Sequence, residues 1–499
     1  MTSRRLLLVS ALAAPLLALG TLPVLSADKV LTIGAAVFPD SLRAGTGSFA
    51  SLSLMTQTND QLVIRDNKSE LHPGLAKSWE QIDPLTMRFH LREGVKFSDG
   101  TDFTADDVVF TIGFALDPQN AYAMAARINQ IASATAVDKY TVDIKTKAVF
   151  PTLLRGLSDI IIEPKAYVEK VGANGFAAKP MGTGPFIFQE WVPGDHYTLT
   201  ANKNYWGGAP KVDKIVIRTI PDGSTRVAAL VSGEAQIIEE VPIDLIEQIN
   251  ASGARIDEIG TTAGLVLTFD PTIKPFDNAK IREAFDYAID KDLILKQILK
   301  GHGEILQGQV LTKGVLGFDP DLKMRPFDPA KAKQMLTEAG YDFSTPVPIT
   351  TQNGKYVSDT DICQAIAGML NKIGVKATVN IVEGGTFQQM SNVLKMGALH
   401  MIGWYSLGDA DFATVWYTKA GHRTNWNSED YDKMFVAARS TNDEKERVRI
   451  YHEMQALAFR ENPSLFLFGL PSIYGTTKNV TGFGAASDKV LRLTEVELK

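Results

Sequence analysis

The chain has 499 residues, 45% of them hydrophobic and 22% charged, with a formal net charge of −6. That is a globular composition too long for one hydrophobic core, so two or three domains are expected, and the mild acidity argues against a nucleic-acid partner. A single cysteine, Cys363, excludes an internal disulfide; it sits in a helical pattern and reads as a small buried hydrophobe.

Arg4 and Arg5 precede a charge-free apolar run over residues 6–25, followed by Ser26 and Ala27. A basic start, a greasy stretch and small residues describe a signal peptide, residues 1–27, removed after export. The run approaches the roughly 20 residues that span a bilayer, but Pro15, Gly20 and Pro23 weaken a stable span. Ser3-Arg4-Arg5 ahead of leucines also looks like a twin-arginine signal. Cleavage removes two arginines and no acids, leaving 49 basic against 57 acidic residues, or −8. No cysteine lies near the cleavage region to carry a lipid.

The mature chain opens with a strand pattern over 30–36 and a loop of small polar residues over 41–48. Alternation at Met87, Phe89 and Leu91 against Arg88, His90 and Arg92 predicts a half-buried strand. Thr104 with Asp107 three residues on forms a capping box for a helix whose apolar side is Val108, Val109, Ile112 and Phe114. Strand patterns recur at 140–145, 186–191, 197–201 and 214–220, and a helix of small residues over 224–232 ends at Gly233. The texture changes near residue 270. Ile281, Phe285, Ala288 and Ile289 begin a helical stripe that continues through Ile294 and Ile298 to Gly301. Asp328-Pro329 opens a helix ending at Gly340. A strand at 347–351, a helix at 359–372 and a strand at 375–382 read as a parallel α/β crossover, and a helix over 444–460 precedes a strand at 465–468.

The chain contains no GxSxG elbow, no HExxH pair and no phosphate-binding GxxxxGK[ST], and its seven histidines are scattered without metal spacing. An enzyme, a cofactor and a resident metal are therefore not expected. His400 and His422 flank the segment singled out below, which keeps a metal chelate open as a ligand.

Several motifs in a fixed order resemble the large periplasmic solute-binding proteins of peptide, nickel and opine importers of the ATP-binding-cassette type. They are HPGLAKSWE (72–80), FHLREGVKFSDG (89–100), TADDVVFT (104–111), GTGPF (182–186), NYWGGAP (204–210), STRVAALVSGEAQI (224–237), PFDNAKIREAFDYAIDKD (275–292), DPAKAKQMLTEAGY (328–341) and GWYSLGDADF (403–412). The resemblance implies an α/β, two-lobed periplasmic-binding-protein fold of type II, of the large peptide-binding class. Lobe one is expected over 28–268, with an extra subdomain inserted at roughly 55–180; lobe two over 269–474; and a return to lobe one over 475–499. It also implies a monomer in the periplasm that closes on a small-molecule or peptide ligand and delivers it to an ABC permease in the inner membrane. A receptor that senses a ligand without transporting it uses the same closed form.

Binding chemistry is expected on strand-end loops facing the cleft. The candidates are Trp404 and Tyr405 as an aromatic surface, and Asp409 and Asp411 as acceptors for a cationic or hydroxylated solute or as helix caps. Asn353, Lys355 and Tyr356 are similar to an NGRY segment seen in some family members, with lysine in place of arginine. Thr46 and Ser48 in the first-lobe loop, Thr268 near the crossover, and Arg423 as partner for an anionic group complete the set. Many peptide-binding relatives carry an aspartate three residues after the tryptophan that pairs with the peptide amine; this chain has Leu407. A peptide or peptide-like ligand, an opine and a sugar conjugate all remain open.

Overall fold

The computed structural model describes residues 28–37, 42, 49–352, 354–421 and 423–499. The expected leader and nearly all of the loop 41–48 lie outside the described residues. One eleven-stranded sheet runs through the molecule. From one edge it takes Lys376–Val382, Pro346–Gln352, Leu399–Tyr405, Arg255–Phe269 and Ser464–Thr476, then Ile237–Ile238, Val30–Ala35, Lys214–Thr219, His196–Ala201 and Phe186–Val192; Glu304–Ile305 pairs off this path. The crossover predicted around residue 360 is present: Pro346–Gln352 and Lys376–Val382 pair in parallel across the helix Asp359–Lys372.

Two long antiparallel strands at the centre, Arg255–Phe269 and Ser464–Thr476, join the halves and are called here the hinge strands. Their ladder runs in register to Gly260↔Pro471 and resumes at Gly264↔Gly469, so three residues oppose one at the break. Pro471 has no N–H to donate, and it stands where the ladder ends. The second hinge strand reaches well past the predicted 465–468, because Gly469 and Pro471 interrupt its apolar pattern without ending its extended course.

A separate four-stranded sheet, Ala76–Asp83, Thr86–Leu91, Thr141–Thr146 and Ile131–Asp138, lies in the first half of the chain with the helix Ala105–Leu116. That helix begins as the capping box predicts: Thr104 N–H donates to the Asp107 carboxylate at 2.9 Å. The stripe over 281–298 is two helices, Ala279–Tyr287 and Lys291–Gln297. The division falls at Asp290, whose carboxylate accepts from Leu293 N–H at 2.8 Å and starts the second helix.

The core divides accordingly. One apolar cluster fills the first half, around Ile33, Phe89, Phe103 and Tyr197. A second lies on one face of the sheet, around Phe269, Phe285, Ile362 and Leu465, and takes in Val227, Ile238 and Ile249 from the first half; a third lies on the opposite face, around Trp404, Tyr451 and Phe466. Cys363 is fully buried in the second, with burial pushing its thiol up to about 12.

The GTGPF and NYWGGAP motifs converge on one buried carboxylate. Asp60 accepts from Thr183 Oγ1 at 2.8 Å, Tyr205 Oη at 2.9 Å and Trp206 Nε1 at 2.7 Å. Gly182 and Gly184 let this turn lie on the Thr58 backbone; a Cβ on Gly184 would stand 2.5 Å from the Thr58 carbonyl carbon. Asp60→Ala leaves three donors without their acceptor and is expected to cost roughly 3 kcal/mol. Urea unfolding checks this, by a lower midpoint at unchanged slope.

Candidate ligand-binding cleft

Where the hinge ladder breaks, the two halves of the molecule enclose a cavity of about 370 Å³. Thr261, Ala263 and Leu265 of the first hinge strand line it, three residues on one face at the period of two that a strand imposes. The first half contributes Ala36, Val37, Arg226, Glu240 and Lys489; the second contributes Gly354 to Ser358, Gly403 and Tyr405.

The second-half wall is built around Asp359. Its buried carboxylate accepts from the N–H groups of Gly354 (3.2 Å), Lys355 (2.8 Å), Tyr356 (3.0 Å) and Thr360 (2.7 Å), which folds the loop against the helix start. Tyr356 then reaches across to the strand Leu399–Tyr405, whose pairing with Pro346–Gln352 covers only Ile349↔Leu399 and Thr350↔His400. Beyond that pairing Gly403 N–H donates to Tyr356 Oη at 2.8 Å. A Cβ on Gly403 would sit 2.7 Å from the Tyr356 ring, so only glycine admits this contact.

The first-half wall carries an ion pair, Lys489 Nζ to Glu240 Oε1 at 2.7 Å. Both residues have left-handed backbones, φ 59 and φ 49, as does Ser358 at φ 55 on the facing wall. Nine described non-glycine residues have positive φ, and these three line one cavity; such strain persists where the surroundings enforce it, and it gathers at functional sites. Arg226 supplies the enforcement on one side, donating to the carbonyls of Ile220 (2.7 Å), Pro221 (2.8 Å), Glu239 (3.0 Å) and Glu240 (2.8 Å). On the other, buried Asp488 is gripped by Arg65 at 3.1 Å and Arg492 at 2.8 Å, which fixes the position of Lys489. Glu239 stands behind Glu240; burial, then the Glu240 carboxylate, push its carboxyl up to about 7.

The sequence candidates separate. Tyr405, Lys355 and Tyr356 line the cavity. Trp404 does not: alternation along its strand turns Gly403 and Tyr405 to the cavity and Trp404 to the opposite face, where it is buried and stacked on Trp416 at 5.5 Å. Asp409 and Asp411 are also buried away from it. Asp409 caps the short helix Ala410–Thr414 and pairs with Arg447 at 2.9 Å, and Asp411 accepts from both Arg439 Nε at 2.7 Å and Nη2 at 2.6 Å. Arg423 donates to Ser391 Oγ at 3.1 Å and lies over the Trp416 ring. Thr268 is fully buried on Ser464 Oγ at 3.0 Å. Thr46, Ser48, Asn353 and His422 lie outside the described residues. His400 is buried on the face opposite the cavity with neither ring nitrogen hydrogen-bonded, and burial pushes its imidazole down to about 4. Glu240, Lys489, Arg226 and Thr261 were not singled out from the sequence.

On the other side of the hinge strands the halves meet again beside a gap of about 570 Å³, with exposed Lys68, Glu70 and Lys313 along it. There Arg155 donates to the carbonyls of Ser69 at 3.0 Å and Leu407 at 2.8 Å, one from each half. Arg127 lies 5.0 Å from the centre of the Phe412 ring.

Two lobes on a shared sheet, with a cavity walled by both, define a two-lobed ligand-binding protein. The chain belongs to the bacterial extracellular solute-binding proteins of family 5, whose middle-region model matches residues 70–424. It is 30% identical over 440 residues to the glutathione-binding protein GsiB of Salmonella typhimurium, covering 84% of each chain. Among solved structures, the periplasmic binding protein DppA from Helicobacter pylori in complex with the peptide STSA is 25% identical, with a TM-score of 0.82 over 94% of this chain and 98% of that one. AgaA from A. tumefacien R10, in complex with agropinic acid, is 26% identical, with a TM-score of 0.80 over 94% and 99%. Among the described residues no helix is long and apolar enough to cross a membrane.

Two outcomes follow from the placement of these side chains. Trp404→Ala empties a packed site and is expected to cost about 3–5 kcal/mol in stability, read by thermal or urea unfolding without ligand. The Glu239 carboxyl binds its proton more tightly folded than at its ordinary value of 4.5, so the stability it contributes is complete below about 4.5 and is lost as pH rises through about 7. Glu239→Gln is expected to flatten the fall in unfolding free energy between pH 5 and pH 7 measured on the ligand-free protein; an unchanged slope would assign that fall to other groups.

Proposed function

We propose that this chain captures a small organic solute, peptide or peptide-like, between its lobes and delivers it to the permease of an ABC importer. The observation that carries the reading is the cavity at the hinge break, with walls from both lobes and a volume of about 370 Å³, within the range of small-molecule sites. A solute touching both walls favours the closed arrangement by its differential affinity, and that difference is all that moves the population. The family is one of solute-binding proteins, and neither chemistry nor a cofactor is assigned to the cavity. After loss of residues 1–27, through either the general or the twin-arginine route, the protein acts in the periplasm as a monomer, and its net charge of −8 suits no nucleic-acid partner.

An opine or sugar conjugate is the second reading, and Leu407 favours it. Its side chain is fully buried at φ 51, so that position offers no carboxylate to a peptide amine.

Mass spectrometry of the solute released by denaturing freshly purified protein tests the reading directly. A stoichiometric small organic compound is expected; its absence, together with unchanged uptake in a deletion strain, would favour a sensing role or remove the assignment. Tyr405→Ala takes an aromatic surface from the cavity wall and is expected to weaken binding of that solute by about 2 kcal/mol, roughly 30-fold, by calorimetry. Unaltered affinity would take Tyr405 out of the contact set.

A further inference from the structure

Building on the solute-binding reading, we infer that the cavity recognises an α-amino-acid head, an ammonium and a carboxylate carried on the same carbon, through Glu240 and Lys489. The two side chains form an ion pair at 2.7 Å on one wall of the cavity. They retain 37% and 25% of their side-chain exposure, so a solute can reach both. The backbone that carries each of them is anchored. Glu240 is tied through its carbonyl to Arg226, and Lys489 follows Asp488, which Arg65 and Arg492 hold.

Charge pairing selects the ligand. A solute bringing only an ammonium to Glu240 displaces Lys489 and leaves a half-buried cation without its partner. One bringing only a carboxylate strands Glu240 in the same way. Each loses much of what it gains, because an unpaired charge in a desolvated site is costly. A neutral solute leaves the pair intact and draws nothing from it. A head with both charges a few ångströms apart lies antiparallel to the pair: ammonium on Glu240, carboxylate on Lys489, every charge satisfied.

Two further acids lie on this side: Glu239 is buried behind Glu240, and Asp244, which lines the cavity, pairs with Lys300 at 3.9 Å. Arg226, the other cation on this wall, gives its donors to four carbonyls. Tyr405, on the opposite lobe, lies close enough to Lys489 to interact with it electrostatically.

Two isomeric dipeptides separate this recognition from simple charge or size. γ-Glutamyl-alanine carries its ammonium and a carboxylate on one carbon, and α-glutamyl-alanine carries them apart; composition and net charge are identical. Calorimetry on the full mature protein, stripped of bound solute, is expected to give the γ isomer about tenfold tighter binding. Glu240→Gln and Lys489→Gln are each expected to bring the two isomers within about twofold. The wild-type ratio stands whether or not the variants fold, and thermal melting reports their folding. Equal binding of the isomers, preference for the α isomer, silence toward both, or a ratio that survives in folded variants overturns the inference. Any of these beside a co-purified solute lacking such a head leaves solute capture standing; no co-purified solute together with unchanged uptake in a deletion strain removes both.

Discussion

The broken ladder between the hinge strands is the constraint on which the molecule depends. A continuous antiparallel pair would carry its ladder of hydrogen bonds unbroken and hold both halves in one stiff sheet. Here residues 261–263 oppose Leu470 alone, and the groups they free find partners elsewhere. Thr261 Oγ1 donates to Leu470 O at 2.7 Å, and the Thr261 carbonyl accepts from Thr312 Oγ1 at 3.1 Å. The Thr262 carbonyl accepts from Ser406 N–H at 2.9 Å and its hydroxyl at 3.0 Å. Short hydroxyl side chains therefore satisfy the crossing, and the room left beside it is the cavity.

The walls of that cavity are loops, and loops cannot share a ladder. Their backbone groups are instead gathered by single charged side chains: Asp359 collects four N–H groups on one lobe, and Arg226 collects four carbonyls on the other. Arginine suits this work because its planar fork presents five donors in fixed directions and stays charged when buried. The same device recurs where Arg155 joins carbonyls from both lobes and where Arg282 holds Phe276 and Asn462. Side chains that hold backbone in this way let glutamate, serine and lysine stand at positive φ around the cleft.

Much of the scaffold was legible in the sequence because its signals are local. The Thr104–Asp107 box, the Asp328-Pro329 helix start and the strand–helix–strand crossover each follow from a few adjacent residues. The two-lobed class followed from motif order. The cavity was less accessible, because its walls come from segments hundreds of residues apart. Glu240 and Lys489 are ordinary charges in sequence, 249 positions apart, and only the fold makes them a pair. The GDAD segment was ambiguous for another reason: an aspartate that caps a helix and one that meets a ligand look alike until Arg447 and Arg439 are seen beside them. A weak signal was present at GTTAG, residues 260–264, where glycines bracket small residues inside an apolar strand, a pattern of bulges.

Trp404 and Tyr405 show how a single strand parity divides core from cavity wall. The pairing Leu265↔Gly403 fixes which side of the strand Leu399–Tyr405 faces the cavity. A slip of one residue would bury the tyrosine and expose the tryptophan. Register is held by the two apolar clusters on either face, since Leu399 and Met401 belong to one and Ile402 and Trp404 to the other. The ion pair, by contrast, lies wholly on the first lobe, so parting the lobes strands neither charge. The second lobe's part of the cavity wall includes Tyr405, Tyr356 and Lys355. A binding protein has to release what it captures, and a wall whose charges pair with each other stays neutral when the cavity is empty.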